Sequence, residues 1–143
     1  MCLLFIFSFR CAPVLLNRVP KTPGFFLRET GGKAAPAVKA LHGAILRAAK
    51  KRNVLLPDDV RSDPRKPEAI ENRDALFAYY RNAVRACGEG VTEIFLHPRA
   101  AGAEPGSPWR KRRWEYELLL SGALLAEAKA CGVTIVGPTQ CYR

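Results

Sequence analysis

Val91-Thr92-Glu93-Ile94-Phe95-Leu96-His97-Pro98 is followed, across a Gly/Pro-rich interval, by Trp109-Arg110-Lys111-Arg112-Arg113-Trp114-Glu115-Tyr116-Glu117-Leu118 and then by Cys131-Gly132-Val133-Thr134-Ile135-Val136-Gly137. An apolar β-type run that ends on His-Pro, a helix, and a second short β-type run form the pattern of successive strands in a parallel sheet, with a polar side chain presented at a strand's C-terminal end. Thr92–Leu96 and Val133–Val136 are the two strands. Pro108–Leu120 and Ala123–Ala130 are helices separated by Ser121-Gly122, and Gly132 caps the second.

Upstream the same alternation repeats. Ile70–Cys87 places Leu76, Tyr80 (or Tyr79), Val84 (or Ala83) and Cys87 on one helical face, and Gly88 or Gly90 ends it. Before it lies a charged connection, 58–70, in which Pro64 and Pro67 exclude a long helix. Val54-Leu55-Leu56-Pro57 reads as a short buried strand ending at Asp58-Asp59. Ala37–Arg52 is an amphipathic helix with Val38, Leu41, Ile45 and Ala48 or Ala49 on its apolar stripe, Pro36 in its first turn and Lys50, Lys51 and Arg52 at the negative end of its dipole. The segment 20–36 is Pro- and Gly-punctuated loop around Phe25-Phe26-Leu27. The architecture expected is α/β, with alternating helices and parallel strands. Two parts are distinguished, an N-terminal segment 1–35 and an α/β domain over 36–143.

At 143 residues the chain is long enough for one domain with a substantial core and too short for a complete (β/α) barrel. Five cysteines, at 2, 11, 87, 131 and 141, form no close C-x-x-C pair, so neither a zinc ribbon nor a disulfide scaffold is indicated and a reducing cytoplasm is the expected compartment. The apolar start Cys2–Phe9 lacks a basic region before it and, at about eight residues, is too short to span a bilayer; it reads as a buried strand, with a weak export signal or an N-terminus foreign to the rest of the chain as the alternatives, and no membrane association is expected. Twenty-three Lys and Arg against thirteen Asp and Glu give a net charge of +10. Such an excess favours nucleic acid only if it gathers on one face. The charges run from Arg10 to Arg143 with one dense cluster at Arg110–Arg113, and no nucleic-acid reader motif accompanies them.

In parallel α/β sheets reactive groups collect at the C-terminal ends of strands, where loops converge on a cleft. His97 follows a strand directly, and a histidine there is either a structural residue or a general acid or base or metal ligand; Pro98 restricts its backbone. Asp58-Asp59 follow the other candidate strand as either a cation site or a solvated pair. His42, next to Leu41, is placed on the surface or flank of its helix. Trp109 and Trp114, with Arg110, Arg112 and Arg113 around them, form a surface suited to stacking on a sugar or contacting phosphate, although a spacing of five keeps the two indoles off one helical face, one packing inward. Arg113 with Glu117 is an intrahelical pair. No Ser/His/Asp order, phosphate-cradling Gly loop or His/Cys cluster occurs.

The elements Gly90–Pro98, Trp109-Arg110-x-Arg112-x-x-Glu115-Tyr116-Glu117-Leu118-Leu119 and Gly132–Gly137 resemble the C-terminal part of the YdjC/ChbG-like carbohydrate deacetylases, and Leu41–Asp59 is similar to the helix and strand preceding it there. The resemblance covers roughly the last hundred residues. It implies the C-terminal portion of a deformed (β/α) barrel that removes acetyl groups from N-acetylated oligosaccharides with a divalent metal and an activated water. His97 matches the family's late His-Pro element, which implies the acid that protonates the departing amine, or alternatively a metal contact; Trp109, Arg110 and Arg112 would bind substrate. The family's early Ala-Asp-Asp-Phe-Gly element and its intermediate histidines have no match, so metal ligands are not found in this chain. A truncated or degenerate deacetylase, doubtful in activity by itself and prone to self-association through an incomplete sheet, is the expectation. The alternative is a non-catalytic basic module that holds an anionic partner, such as nucleic acid, through Arg110–Arg113.

Overall fold

The computed structural model describes residues 2–7, 36–53, 56–100 and 109–137. In chain order these form β1 (Cys2–Phe7), α1 (Pro36–Lys51), β2 (Asp59–Arg61), a 3-10 turn (Pro67–Ala69), α2 (Arg73–Arg85), β3 (Gly90–Phe95), α3 (Arg110–Leu120), α4 (Ala123–Ala130) and β4 (Val133–Ile135). The strands make one parallel sheet in the order β2-β3-β1-β4. The chain is therefore α/β with parallel strands, as its alternating periodicities require. Sequence neighbours β2 and β3 pair directly, whereas β1 stands between β3 and β4. Residues 2–7 thus belong to the same sheet as the segment 36–143.

β3 has neighbours on both sides, and both of its faces are covered, as a central parallel strand demands. One pleat sends Ile94 and Leu96 into the main apolar cluster, where Leu76, Tyr80, Val84, Leu118, Leu124 and Ala128 meet them from α2, α3 and α4. The other pleat buries Glu93. Among the described residues, the three helices pack on one another as well as on the strands.

α2 begins at Arg73 rather than at the expected Ile70, and capping explains the difference. Pro67 starts the 3-10 turn, and Asn72, in extended conformation, accepts the Ala75 backbone N–H on its side-chain oxygen at 2.9 Å. Ile70 is buried as an anchor ahead of the helix. At the other end the Arg61 guanidinium donates to the carbonyls of Ala83 and Ala86, both at 2.8 Å, and so satisfies acceptors the helix leaves open. α3 and α4 are separated by Gly122 in the left-handed region (φ 69°), with Ser121 Oγ accepting from Ala123 N–H at 3.2 Å. α4 is fastened to α2 by Glu127, whose carboxylate receives Arg81 and Arg85, each at 2.6 Å. Hydrogen bonds from Arg81 and then Arg85 hold that carboxyl below the usual range.

Three expectations are corrected. The strand expected at Val54–Leu56 lies partly outside the described residues (54–55); Leu56 and Pro57 are not in a strand, and β2 is formed instead by Asp59–Arg61, paired with Thr92–Ile94. Asp58 and Asp59 consequently sit at the N-terminal edge of the sheet, the end opposite His97. Asp58 there exchanges both its backbone N–H and its carboxylate with Val91, at 2.8 Å each, and Asp59 accepts from Val60 N–H at 2.9 Å and from Arg61 at 2.8 Å. These carboxylates are consumed in pinning the strand starts. On α1, Leu41 is 62% exposed and His42 only 6%, so the buried stripe is rotated by one residue from the one the periodicity suggested. A stripe containing Val38, His42, Ile45 and Ala49 has the same helical spacing, and apolar counting alone could not choose it.

No helix among the described residues is long and apolar enough to cross a membrane. The expectations for Ser8–Phe9, the loop 20–35 and the interval 101–108 lie outside the described residues.

Candidate functional site

Because β2 and β3 run parallel, the residues following each strand emerge at the same edge of the sheet. Ser62, Asp63, Pro64 and Arg65 leave β2 there, and Leu96 and His97 leave β3. α2 supplies Tyr80 and α3 supplies Lys111 and Glu115. Ser62, Asp63, Pro64, Arg65, Tyr80, Phe95, His97, Lys111 and Glu115 line a pocket of about 230 Å³.

Glu115 is one of its lining residues. It is 1% exposed, and both oxygens accept: Oε1 from the Tyr80 hydroxyl at 2.7 Å and Oε2 from the His97 backbone N–H at 2.8 Å. The Tyr80 oxygen in turn receives the Asp63 N–H at 3.4 Å. One polar chain therefore joins the exits of β2 and β3 to α2 and α3. Burial foremost, and then the negative charge of Glu115, push the Tyr80 phenol well above its ordinary range, so it stays a donor.

A second set surrounds Asp63, which is 5% exposed. Its Oδ1 accepts the Arg65 backbone N–H at 2.9 Å, and its two oxygens receive the Arg65 guanidinium at 2.7 to 3.1 Å. That hydrogen bond raises the Arg65 pKa further. The Lys111 ammonium donates to the carbonyl oxygens of Asp63 and, at 3.0 Å, of Arg65. Lys111 and Glu115 are one turn apart on α3, and both face the pocket.

His97 lies at the rim. Its side chain is exposed and stands edge-on to Phe95, with ring centroids 5.4 Å apart. The three residues expected to bind substrate with it are not among the lining residues. Arg110 turns away, donating to the Pro67 carbonyl at 3.0 Å and lying over Trp114 at 4.9 Å. Trp109 is at the start of α3, with the guanidiniums of Arg99 and Arg112 at 4.7 and 4.6 Å from its ring. Arg113 pairs with Glu117 at 3.1 Å as expected, and of the two indoles Trp114 is the one packed against the core.

Asp63, Tyr80, Lys111 and Glu115 did not stand out in the sequence. The available signal was on α3: Lys111 and Glu115 are in phase with Leu118, which puts two charges on a helix stripe that also carries a core leucine. Asp63 had none, being one acid in a charged, Pro-containing connection.

The divalent ion that the family resemblance implies needs several oxygen or nitrogen donors converging on one point. Glu115 and Asp63 already hold protein donors on both oxygens, and among the described residues no group of three His, Cys, Asp or Glu side chains converges. The described residues do not fit such an ion. Comparison of the chain with protein-family models, with curated proteins and with solved structures finds no match.

Proposed function

We propose that this chain is a carbohydrate deacetylase-like protein, built on part of a (β/α) barrel, that seats an N-acetylated sugar in the pocket at the C-terminal edge of β2 and β3. His97 is the group that hands a proton to the departing amine. The reaction class comes from the sequence resemblance. The observation that supports it is the shared cavity of His97 and Glu115 at a parallel strand end, where loops over such sheets ordinarily hold ligands.

The pocket's charges favour an uncharged partner. Arg65 and Lys111 are balanced by Asp63 and Glu115, which leaves no net charge to attract or repel an anion. At about 230 Å³ the volume falls below the roughly 300–1,000 Å³ typical of drug-sized ligands, which suits one acetamido sugar unit rather than a long segment. In this reading the chain's own residues bind and orient the sugar and hold a proton at the His97 imidazole. Hydrolysis of the amide would require metal donors other than those described, and no step is assigned to them. Binding of an anionic partner through Arg110–Arg113 is disfavoured because those four cations diverge, to Pro67 and Trp114, to the Asp63 and Arg65 carbonyls, to Trp109 and to Glu117.

The test is calorimetric titration with N,N′-diacetylchitobiose, with acetate release followed in the presence of added divalent metal. Saturable binding weakened by His97→Ala or Lys111→Met is expected. Absence of both binding and acetate release in the unmodified chain overturns the proposal, and salt-dependent nucleic-acid binding lost on neutralising Arg110, Arg112 and Arg113 would replace it.

A further inference from the structure

Glu115 is a buried carboxylate with two hydrogen bonds and no cation within ion-pair distance among the described residues. Each of its oxygens accepts one hydrogen bond, Oε1 from the Tyr80 hydroxyl at 2.7 Å and Oε2 from the His97 backbone N–H at 2.8 Å. Isolating a charge from water in this way is costly, and an apolar side chain at the same point of α3 would fill the space without that cost. The direction of a buried carboxylate is set by the donors it accepts from. Here the direction is set at both ends. Tyr80 is held by the core cluster, so the Oε1 contact fixes the carboxyl plane, and Oε2 then fixes the peptide from which the His97 side chain departs. Pro98 restrains that backbone from the other side.

We infer that Glu115, oriented by Tyr80, is a positioning residue for His97: it sets the backbone at the end of β3 so that the imidazole stands at the rim of the pocket. Glu115 does not itself need to touch the ligand. This inference rests on the proposed role of His97, but its first consequence concerns the geometry of His97 and can be read without any substrate.

The experiment compares isotope-labelled wild type with Glu115→Gln and Glu115→Ala by amide hydrogen exchange, by the His97 imidazole resonances, and by binding of N,N′-diacetylchitobiose. In Glu115→Ala the His97 amide should exchange at least about tenfold faster relative to the Ile94 amide, the loss expected for a hydrogen bond to a charged acceptor. The sugar-induced shift of the imidazole should shrink together with affinity. Glu115→Gln keeps one carbonyl oxygen that can still accept from the His97 N–H, so it should restore most of the protection and of the imidazole response. If Glu115→Ala does not fold, Glu115→Gln and Tyr80→Phe carry the comparison, with Tyr80→Phe freeing the carboxyl plane and loosening the His97 amide. Equal loss of protection at His97 and Ile94 would reduce Glu115 to a general stabiliser and overturn the inference, as would unaltered His97 resonances. A selective His97 response in a protein that binds no acetylated sugar would leave the positioning role standing and remove the sugar reading instead.

Discussion

Replacing Tyr80 with Phe removes one oxygen from the interior while leaving the ring in the apolar cluster, so no cavity is created and the cost is purely polar. The hydroxyl makes a 2.7 Å hydrogen bond to the buried Glu115 carboxylate and receives the Asp63 N–H at a long 3.4 Å. A hydrogen bond to a charged acceptor contributes roughly 1.5–3 kcal/mol, so a loss of about 2 kcal/mol is expected at pH 7. The same residue predicts how that loss varies with pH. Burial first, and the Glu115 charge second, raise the folded-state pKa of Tyr80 above its ordinary value near 10. Below that value both states carry the proton and the stabilisation is intact. Above it the unfolded chain releases its proton while the folded one keeps it, and stability falls by about 1.4 kcal/mol per pH unit until the folded-state pKa is reached. Phe has no such proton, so the gap between wild type and Tyr80→Phe should close between about pH 11 and 12. Urea unfolding of both proteins, followed by the fluorescence of Trp109 and Trp114 from pH 7 to 11.5, reads this directly, because the other tyrosines and the lysines titrate equally in both. A gap that stays constant above pH 10, or a variant as stable as wild type at pH 7, would refute the buried Tyr80–Glu115 pair.

Gly90→Ala should destabilise the start of β3 by about 1–3 kcal/mol in urea unfolding, since φ is +99° there and a β-carbon would overlap the Asp58 carboxylate that pins Val91. Glu127→Gln should lower the melting temperature at neutral pH. The wild-type carboxyl is held below its ordinary range, so its contribution is present above that range and disappears as pH falls through the lowered folded value; the difference in melting temperature should therefore shrink steadily as the pH is taken down through the carboxylate range. Arg61→Met removes the guanidinium from the carbonyls of Ala83 and Ala86 and from Asp59, and a loss of about 1.5–3 kcal/mol with faster amide exchange in the last turn of α2 is expected; unchanged exchange there would show the cap to be dispensable.

The helices were legible in the sequence because their determinants are local. Apolar spacing at Leu76, Tyr80 and Val84, the Ser121-Gly122 break and Gly132 together locate α2, α3 and α4 to within a few residues, and β-type runs beside them supply β3 and β4. The acidic strand end was misread for a related reason: Val54–Leu56 is the stronger apolar run, yet pairing with Thr92–Ile94 is made by Asp59–Arg61, whose register is set by the partner strand and by Asp58 closing on Val91. Leu41 is exposed and His42 buried although the stripe with Leu41 is the more apolar, so helical spacing and apolar content did not identify the buried face of α1.

The sequence by itself determined the class of fold and the presence of a histidine at a parallel strand's end, since both follow from short-range periodicity and from one residue's place after an apolar run. Tertiary structure alone decided what surrounds that histidine. Glu115 meets Tyr80 across 35 residues of chain, and Lys111 meets Asp63 across 48. Whether a charged side chain faces water or becomes a buried acceptor depends on which donors the distant segments bring to it, and that is a property of the packed helices and sheet rather than of any local stretch.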